Sequence, residues 1–363
     1  GMCYAAPCLS GERDGVKGWI IAVHALTMFV YQHLDAVDGK QARRTGASSP
    51  LGQLFDHGCD TVVTMLSVLS TAICFDLGGD VRLAFLAMVT LVPFNFVQWA
   101  EYHKGACPSS NGFMGVTEGL CMMILMELTT AVAGPRLWCD MVLPVGSLLP
   151  KGLAVRDLFL VLYSATNFQF TLSLLWTVLR PCRADEPGLA ADMQGDKDLG
   201  KVNALLQMVP FVAWVLLSWM WLYRVPDGVP LFDAQLSAVQ HVTPSAFFER
   251  HTVLCCMLTG WQYVLITTRM MLAHMCKHPF SCSVNCAILT PLAVVTACSR
   301  LPALARPVFA HLCTEHTLTW VLCAVSFTMY LQYVVVVVRQ ICEHLGIQCF
   351  SIAYLEAAKA KKS

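Results

Sequence analysis

The stretch YQHLDAVDGKQARRTGASSPLGQLFDHGCD, residues 31–60, closes one apolar run and opens the next, with Pro50 marking the turn between them. Ionisable side chains at membrane depth cost about 3 kcal/mol each, so a segment that concentrates them is functional by default. Asp35 and Asp38 are three residues apart and Asp56 and Asp60 are four apart, so on helices each pair points one way. If the two helices are neighbours, four carboxylates converge, and like charges at close range cannot all stay ionised without cations between them. A centre of two divalent ions resolves the repulsion, and oxygen-only ligation favours Mg²⁺, Mn²⁺ or Ca²⁺ over zinc. Gly39 and Gly52 leave room for a ligand to approach the backbone, and Arg43 and Arg44 offer donors to phosphate. Together these residues describe a site for a metal-bound phosphate or pyrophosphate, although any one of the aspartates alone would read as an interfacial carboxylate reaching water beside an arginine.

The rest of the chain supplies the setting. Of its 363 residues, 56% are hydrophobic and 13% charged, well below the roughly 25% charge of a soluble globular chain. A membrane span needs roughly 20 mostly apolar residues. Such runs lie near 18–35, 58–76, 82–100, 117–135, 156–180, 203–224, 251–275, 284–301 and 317–341. They predict an all-α, polytopic integral membrane protein of about nine transmembrane helices, with residues 1–363 forming a single domain. The first 17 residues are polar and Gly-rich, and no cleavage-like site follows the first apolar run, so that helix is expected to be retained. Residues 181–201 and 225–250 read as loops. The net charge of zero leaves no nucleic-acid footprint. Most of the 18 Cys residues are scattered through apolar runs without metal-like spacing, as small hydrophobes packed in helices would be.

The pattern Asp35-x₂-Asp38-Gly39-x₂-Ala42-Arg43-x₈-Gly52-x₃-Asp56-x₃-Asp60 resembles, without a gap, the signature of the CDP-alcohol phosphatidyltransferase family. The text Asp38–Thr45, Ser49–Gly52 and Phe55–Asp60 is similar to its eukaryotic choline/ethanolamine phosphotransferase branch, as are Trp99–Gly105, Val116–Glu118 and Gln340–Phe350. The resemblance implies transfer of phosphocholine or phosphoethanolamine from CDP-choline or CDP-ethanolamine to a diacylglycerol or alkyl-acylglycerol, with release of CMP. It implies two ions, Mg²⁺ or Mn²⁺, on Asp35, Asp38 and Asp56, with Asp60 as ligand or base, and a CDP pocket lined by Gly39, Ala42, Arg43 and Gly52. His57 and Glu118 are added catalytic candidates: an imidazole titrates near neutrality, and an acid inside an apolar run is costly unless used. A His57 hydrogen-bonded to Glu118 across neighbouring helices would suit the role of base.

The resemblance further implies an endoplasmic reticulum or Golgi membrane, an active site facing the cytosol, and a homodimer. The tail Lys359–Ser363 resembles a cytosolic retrieval signal and equally reads as a basic tail on anionic lipid. The family has an amphipathic stretch and one more helix ahead of the motif helix, which residues 1–17 do not contain, so Gly1–Lys17 reads as a fragment's edge, a tag remnant or a divergent start. Glu101 and His103 read as interfacial residues, and Trp99, Trp138 and Tyr223 as interfacial anchors. Arg269 lies inside an apolar run and is expected to pair with a carboxylate or a lipid phosphate. Two other functions compete. Another alcohol donor or acceptor within the family is disfavoured by the Lys40–Thr45 and Asp56–Asp60 text, and a non-catalytic cation-binding membrane protein by four aspartates at family spacing.

Overall fold

The structure, a computed structural model, describes residues 17–105, 115–144, 152–180, 197–224, 243–301 and 313–349. The ends of the chain, including Gly1–Val16 and the Lys359–Ser363 tail, and most of both expected loops lie outside the described residues.

In chain order the helices are α1 (Gly18–Thr45), α2 (Pro50–Cys74), α3 (Val81–Lys104), α4 (Val116–Ala133), the short α5 (Leu137–Asp140) and α6 (Val155–Leu179). Then come α7 (Lys197–Leu206), α8 (Val209–Leu222), the short α9 (Ala246–Arg250), α10 (Thr252–Met275), α11 (Cys282–Ala287), α12 (Thr290–Arg300) and α13 (Glu315–Leu345). Two minimal antiparallel pairs, Val142–Leu143 with Leu153–Ala154 and Tyr223–Arg224 with Thr243–Pro244, tie loop ends together. The all-α membrane architecture is as the hydropathy predicts. Seven helical stretches among the described residues are long and apolar enough to cross a membrane, so the expected count of nine is not confirmed. The expected span at 284–301 is divided between α11 and the 11-residue α12, and α10 is long enough but too polar to qualify.

The polarity of α10 follows from its position. It packs against α2, α3, α8 and α13, and a helix surrounded by protein satisfies polar side chains that lipid would not. Gln262 Nε2 donates to Ser326 Oγ at 2.6 Å, Asn95 Nδ2 to Thr267 Oγ1 at 3.1 Å, and Tyr263 OH to the Leu91 carbonyl at 3.2 Å. Bonds of this kind contribute about 0.6 kcal/mol each in a bilayer, so close packing does the rest. At Gly260 that packing is tight: an added Cβ would lie 2.7 Å from Met65 Cγ on α2. Gly260→Leu is therefore expected to destabilise the bundle by about 1–3 kcal/mol, the usual range for overpacking. Thermal unfolding in detergent reads this directly, and an unchanged midpoint would contradict so close an α2–α10 approach.

On the opposite flank α1 buries only Ile21, Ala25, Met28 and Gln32, one stripe at helical spacing, against α4. A fully buried Glu127 on α4 meets His24 of α1, Nδ1 to Oε1 at 3.0 Å. Because a carboxylate at that depth is costly unless paired, the pair holds the two helices in register.

Of the three expected anchors, two are interior and one is half-buried. Trp99 is fully buried and donates to the Ala204 carbonyl at 3.1 Å. Tyr223, also buried, donates to the Asp80 carbonyl at 2.9 Å. Trp138, half-buried, donates to Thr130 Oγ1 at 2.9 Å. Their polar atoms find partners inside the bundle, which removes the reason to sit at the headgroups. Among the described residues the cysteines are free thiols, as expected. In the loop helix α5, burial pushes the Cys139 thiol up in spite of the Arg156 guanidinium 2.9 Å away.

Candidate active site

The motif spans a helix end, a reversal and a helix start, each built by local rules. At the C-terminus of α1, Gly46 takes the left-handed conformation at φ 72°, where a side chain would be strained, and the Ala47 N–H closes onto the Ala42 carbonyl at 2.8 Å. Arg43 and Arg44 occupy the last turn, where cations suit the helix dipole. Ser49 then caps α2, accepting from the Gly52 N–H at 3.2 Å, and Pro50 fits the first turn. Apolar sequence predicts the spans from 18 to 35 and from 58 to 76, yet the helices run on to Thr45 and back to Pro50. Hydropathy reports the bilayer, whereas a capped helix continues into water.

Counting from the reversal explains the convergence. At 1.5 Å per residue, Asp38 lies about 10 Å and Asp56 about 9 Å from their helix ends, and Asp35 and Asp60 each about 15 Å. The two pairs therefore sit at matching levels on antiparallel helices. One oxygen each from Asp35, Asp38 and Asp56 lies within 4.8 Å of the others. Asp60, the fourth, accepts from the Tyr31 hydroxyl across the gap between α1 and α2. Tyr31 was not among the candidates, although it stands one turn before Asp35 on the same helical face. Asp38 also accepts from the N–H of Gly39. The Arg43 guanidinium lies over Gly39, 3.5 Å from where a Cβ would stand, so the arginine and the acids share one side of α1.

Among the described residues no lysine, arginine or histidine pairs with Asp35, Asp38 or Asp56. Three all-oxygen donors with no internal counter-charge fit a hard divalent cation and fit poorly with anything neutral.

His57, next to Asp56, projects towards α3. Its Nδ1 stands 3.7 Å from Glu101 Oε2, while His274 Nε2 of α10 stands 3.9 Å from Glu101 Oε1 and Gln53 Nε2 donates to the same oxygen at 3.5 Å. The first two distances are those of ion pairs rather than hydrogen bonds. Two expectations change here. Glu101 is not interfacial: it is 7% exposed and sits between two imidazoles. Glu118 is not the partner of His57: its Oε2 accepts from the Gly115 N–H at 2.9 Å and caps α4, exposed at that helix's first turn. His103 bonds Gln207 Oε1 through Nε2 at 2.8 Å, apart from this group.

The family model for CDP-alcohol phosphatidyltransferase matches residues 8–146. The chain is 30% identical over 351 residues, 96% of this chain and 82% of the other, to CDP-alcohol phosphatidyltransferase class-I family protein 3 of Dictyostelium discoideum. It is 30% identical over 353 residues to choline/ethanolaminephosphotransferase 1 of Arabidopsis thaliana, covering 93% of this chain and 80% of that protein. Against cholinephosphotransferase 1 of Xenopus laevis the identity is 28% over 360 residues, 99% and 77% of the two chains. The chain belongs to the CDP-alcohol phosphatidyltransferase family, and its curated relatives include choline/ethanolaminephosphotransferases of plants and vertebrates. It is thus an integral membrane phosphotransferase of phospholipid biosynthesis, in a family that uses divalent metal ions.

Proposed function

We propose that the protein transfers phosphocholine or phosphoethanolamine from CDP-choline or CDP-ethanolamine to the sn-3 hydroxyl of a diacylglycerol or alkyl-acylglycerol. The observation that carries this reading is the approach of Asp35, Asp38 and Asp56 oxygens to within 4.8 Å under an unbroken family motif. Asp35, Asp38 and Asp56 would hold two ions, Mg²⁺ or Mn²⁺, with Asp60 one turn further along α2 as the fourth acid. When bound there, the ions supply charge neutralisation on the pyrophosphate and on the leaving oxygen.

The chain's own residues do the rest. Gly39, Ala42, Arg43 and Gly52 form the donor side, and the planar fork of Arg43 offers paired N–H groups to phosphate oxygens. A neutral lipid alcohol is a poor nucleophile and needs a positioned base. His57 takes the hydroxyl proton at Nε2, while Glu101 faces Nδ1 and orients the ring. The hydroxyl oxygen then bonds to the phosphorus that bears choline or ethanolamine, the bond to the other phosphate breaks, and CMP leaves with that electron pair. The whole chain, residues 1–363, acts as one catalytic domain, with a homodimer as the expected assembly. Because CDP-alcohols are made in the cytosol, the motif faces the cytosol, in the endoplasmic reticulum or Golgi.

The test supplies purified protein with labelled CDP-choline and CDP-ethanolamine separately, together with diacylglycerol, and measures lipid product and CMP. Product is expected to vanish with excess chelator and to return with Mg²⁺ or Mn²⁺. Undiminished turnover in chelator would overturn the metal assignment, and CMP release without labelled lipid would overturn the acceptor. Arg43→Lys keeps the charge but loses the fork. It is expected to raise the KM for the donor by about tenfold, the scale of one charged hydrogen bond, with the lipid KM nearly unchanged. An effect confined to the lipid would show the donor assignment to be wrong.

A further inference from the structure

Arg269 sits in α10 six residues before its last residue, Met275, about 9 Å below that helix end. The residues of α10 that meet the catalytic helices are Thr267, bonded to Asn95, Met271, facing Thr61, and His274, facing Glu101. At 100° per residue Arg269 points about 140–160° away from them, to the outer side of the bundle where α11 and α13 run. There its Nε donates to Asn285 Oδ1 at 2.8 Å, and its guanidinium carbon lies 5.3 Å from the ring centre of Tyr333.

Asn285 is buried and fixed from the other end, its Nδ2 donating to the Ser281 carbonyl. The guanidinium is therefore held by a rigid neutral acceptor and an aromatic face, and among the described residues no carboxylate pairs with it. The expected ion pair is absent. The four N–H groups on the two Nη atoms have no partner among the described residues, and charged donors left unmatched at this depth are costly. Arg269 itself is only half-buried, so the fork is open on one side. The large side chains exposed on α11 and α13 towards their outer surfaces include Val284, Val335 and Val336, which suit acyl chains rather than water.

We infer that Arg269, Asn285 and Tyr333 form a binding site for the phosphodiester of a membrane phospholipid, separate from the catalytic aspartates. Two non-bridging phosphate oxygens match the free edge of the fork, and basic recesses between transmembrane helices near a membrane surface take lipid headgroups in this way. The site stands independently of the reaction proposed above, because none of its residues touches the motif.

The test uses the full chain in detergent micelles and reads retained lipid by native mass spectrometry, with added phosphatidylglycerol, diacylglycerol or inorganic phosphate as probes. Phosphatidylglycerol is expected to be retained by the wild type and reduced at least about tenfold in Arg269→Gln, the scale of a lost charged contact. Diacylglycerol, which lacks the phosphate, should distinguish the two proteins little. Asn285→Asp keeps the shape and places a carboxylate on Arg269, so it should also expel the phospholipid while preserving the thermal midpoint. That variant decides the matter if Arg269→Gln folds poorly. Retention of phosphatidylglycerol by Asn285→Asp at the wild-type level would overturn the inference. Binding of inorganic phosphate at millimolar concentration with no retention of phosphatidylglycerol would show a soluble anion as the occupant and overturn the lipid assignment.

Discussion

Replacing Asp56 by Asn is expected to lower turnover by more than about a hundredfold. Asp56 is the acid of α2 that meets both acids of α1, within 4.8 Å, so its loss leaves Asp60 as the only acid of α2 opposite Asp35 and Asp38. Even residues that merely support a metal ligand are worth about 10–100-fold, and a ligand itself should exceed that. The amide keeps the shape of the side chain and a carbonyl oxygen, so the fold should hold, and an unchanged thermal midpoint separates lost chemistry from lost structure. The Mg²⁺ concentration for half-maximal activity should rise in whatever turnover remains. Turnover within a few-fold of wild type at the ordinary Mg²⁺ requirement would remove Asp56 from the centre.

His57→Ala should lower turnover by about 10²–10⁴-fold, the range for a lost general base, with the Mg²⁺ requirement nearly unchanged. Asp60→Ala should instead raise that requirement. The contrast rests on where the two side chains lie: the Asp60 carboxylate faces α1 and Tyr31, whereas the His57 imidazole faces Glu101 on α3. Glu101→Gln retains the hydrogen-bonding shape but loses the charge that orients the ring, so it should follow His57→Ala in kind and be smaller in size. Glu118→Gln should leave turnover nearly normal, since that side chain caps α4. If His57→Ala turns over normally while Asp60→Ala loses the chemistry and keeps metal binding, the base is Asp60.

The convergence of Asp35, Asp38 and Asp56 was legible in the sequence because it depends on short-range facts alone: helical spacing, a Gly46 stop, a Ser49-Pro50 start and four residues of reversal between Thr45 and Pro50. Tyr31 was within reach of the same argument, being one turn from Asp35. Glu101 was not. Its importance comes from His57 and His274, on two other helices, and its apolar run stops at residue 100, which made it look like the water-facing end of a span. The helix in fact continues to Lys104, and the neighbours that bury Glu101 leave no trace in the local pattern. The same holds for α10, whose polar residues make sense only once its surroundings are known.

That helix has a consequence for how the protein comes into being. An isolated segment carrying Thr259, Gln262, Thr267, Thr268 and Arg269 partitions weakly into hydrocarbon, because each polar side chain in it must be dehydrated without a partner. Its neighbours α2, α3 and α8 are synthesised before it, but Ser326 on α13, the partner of Gln262, is made later. The α10 segment therefore lacks one of its polar partners until α13 is made. Synthesis that halts before α13 leaves Gln262 without Ser326, so the making of α13 is the step that completes the polar face of α10.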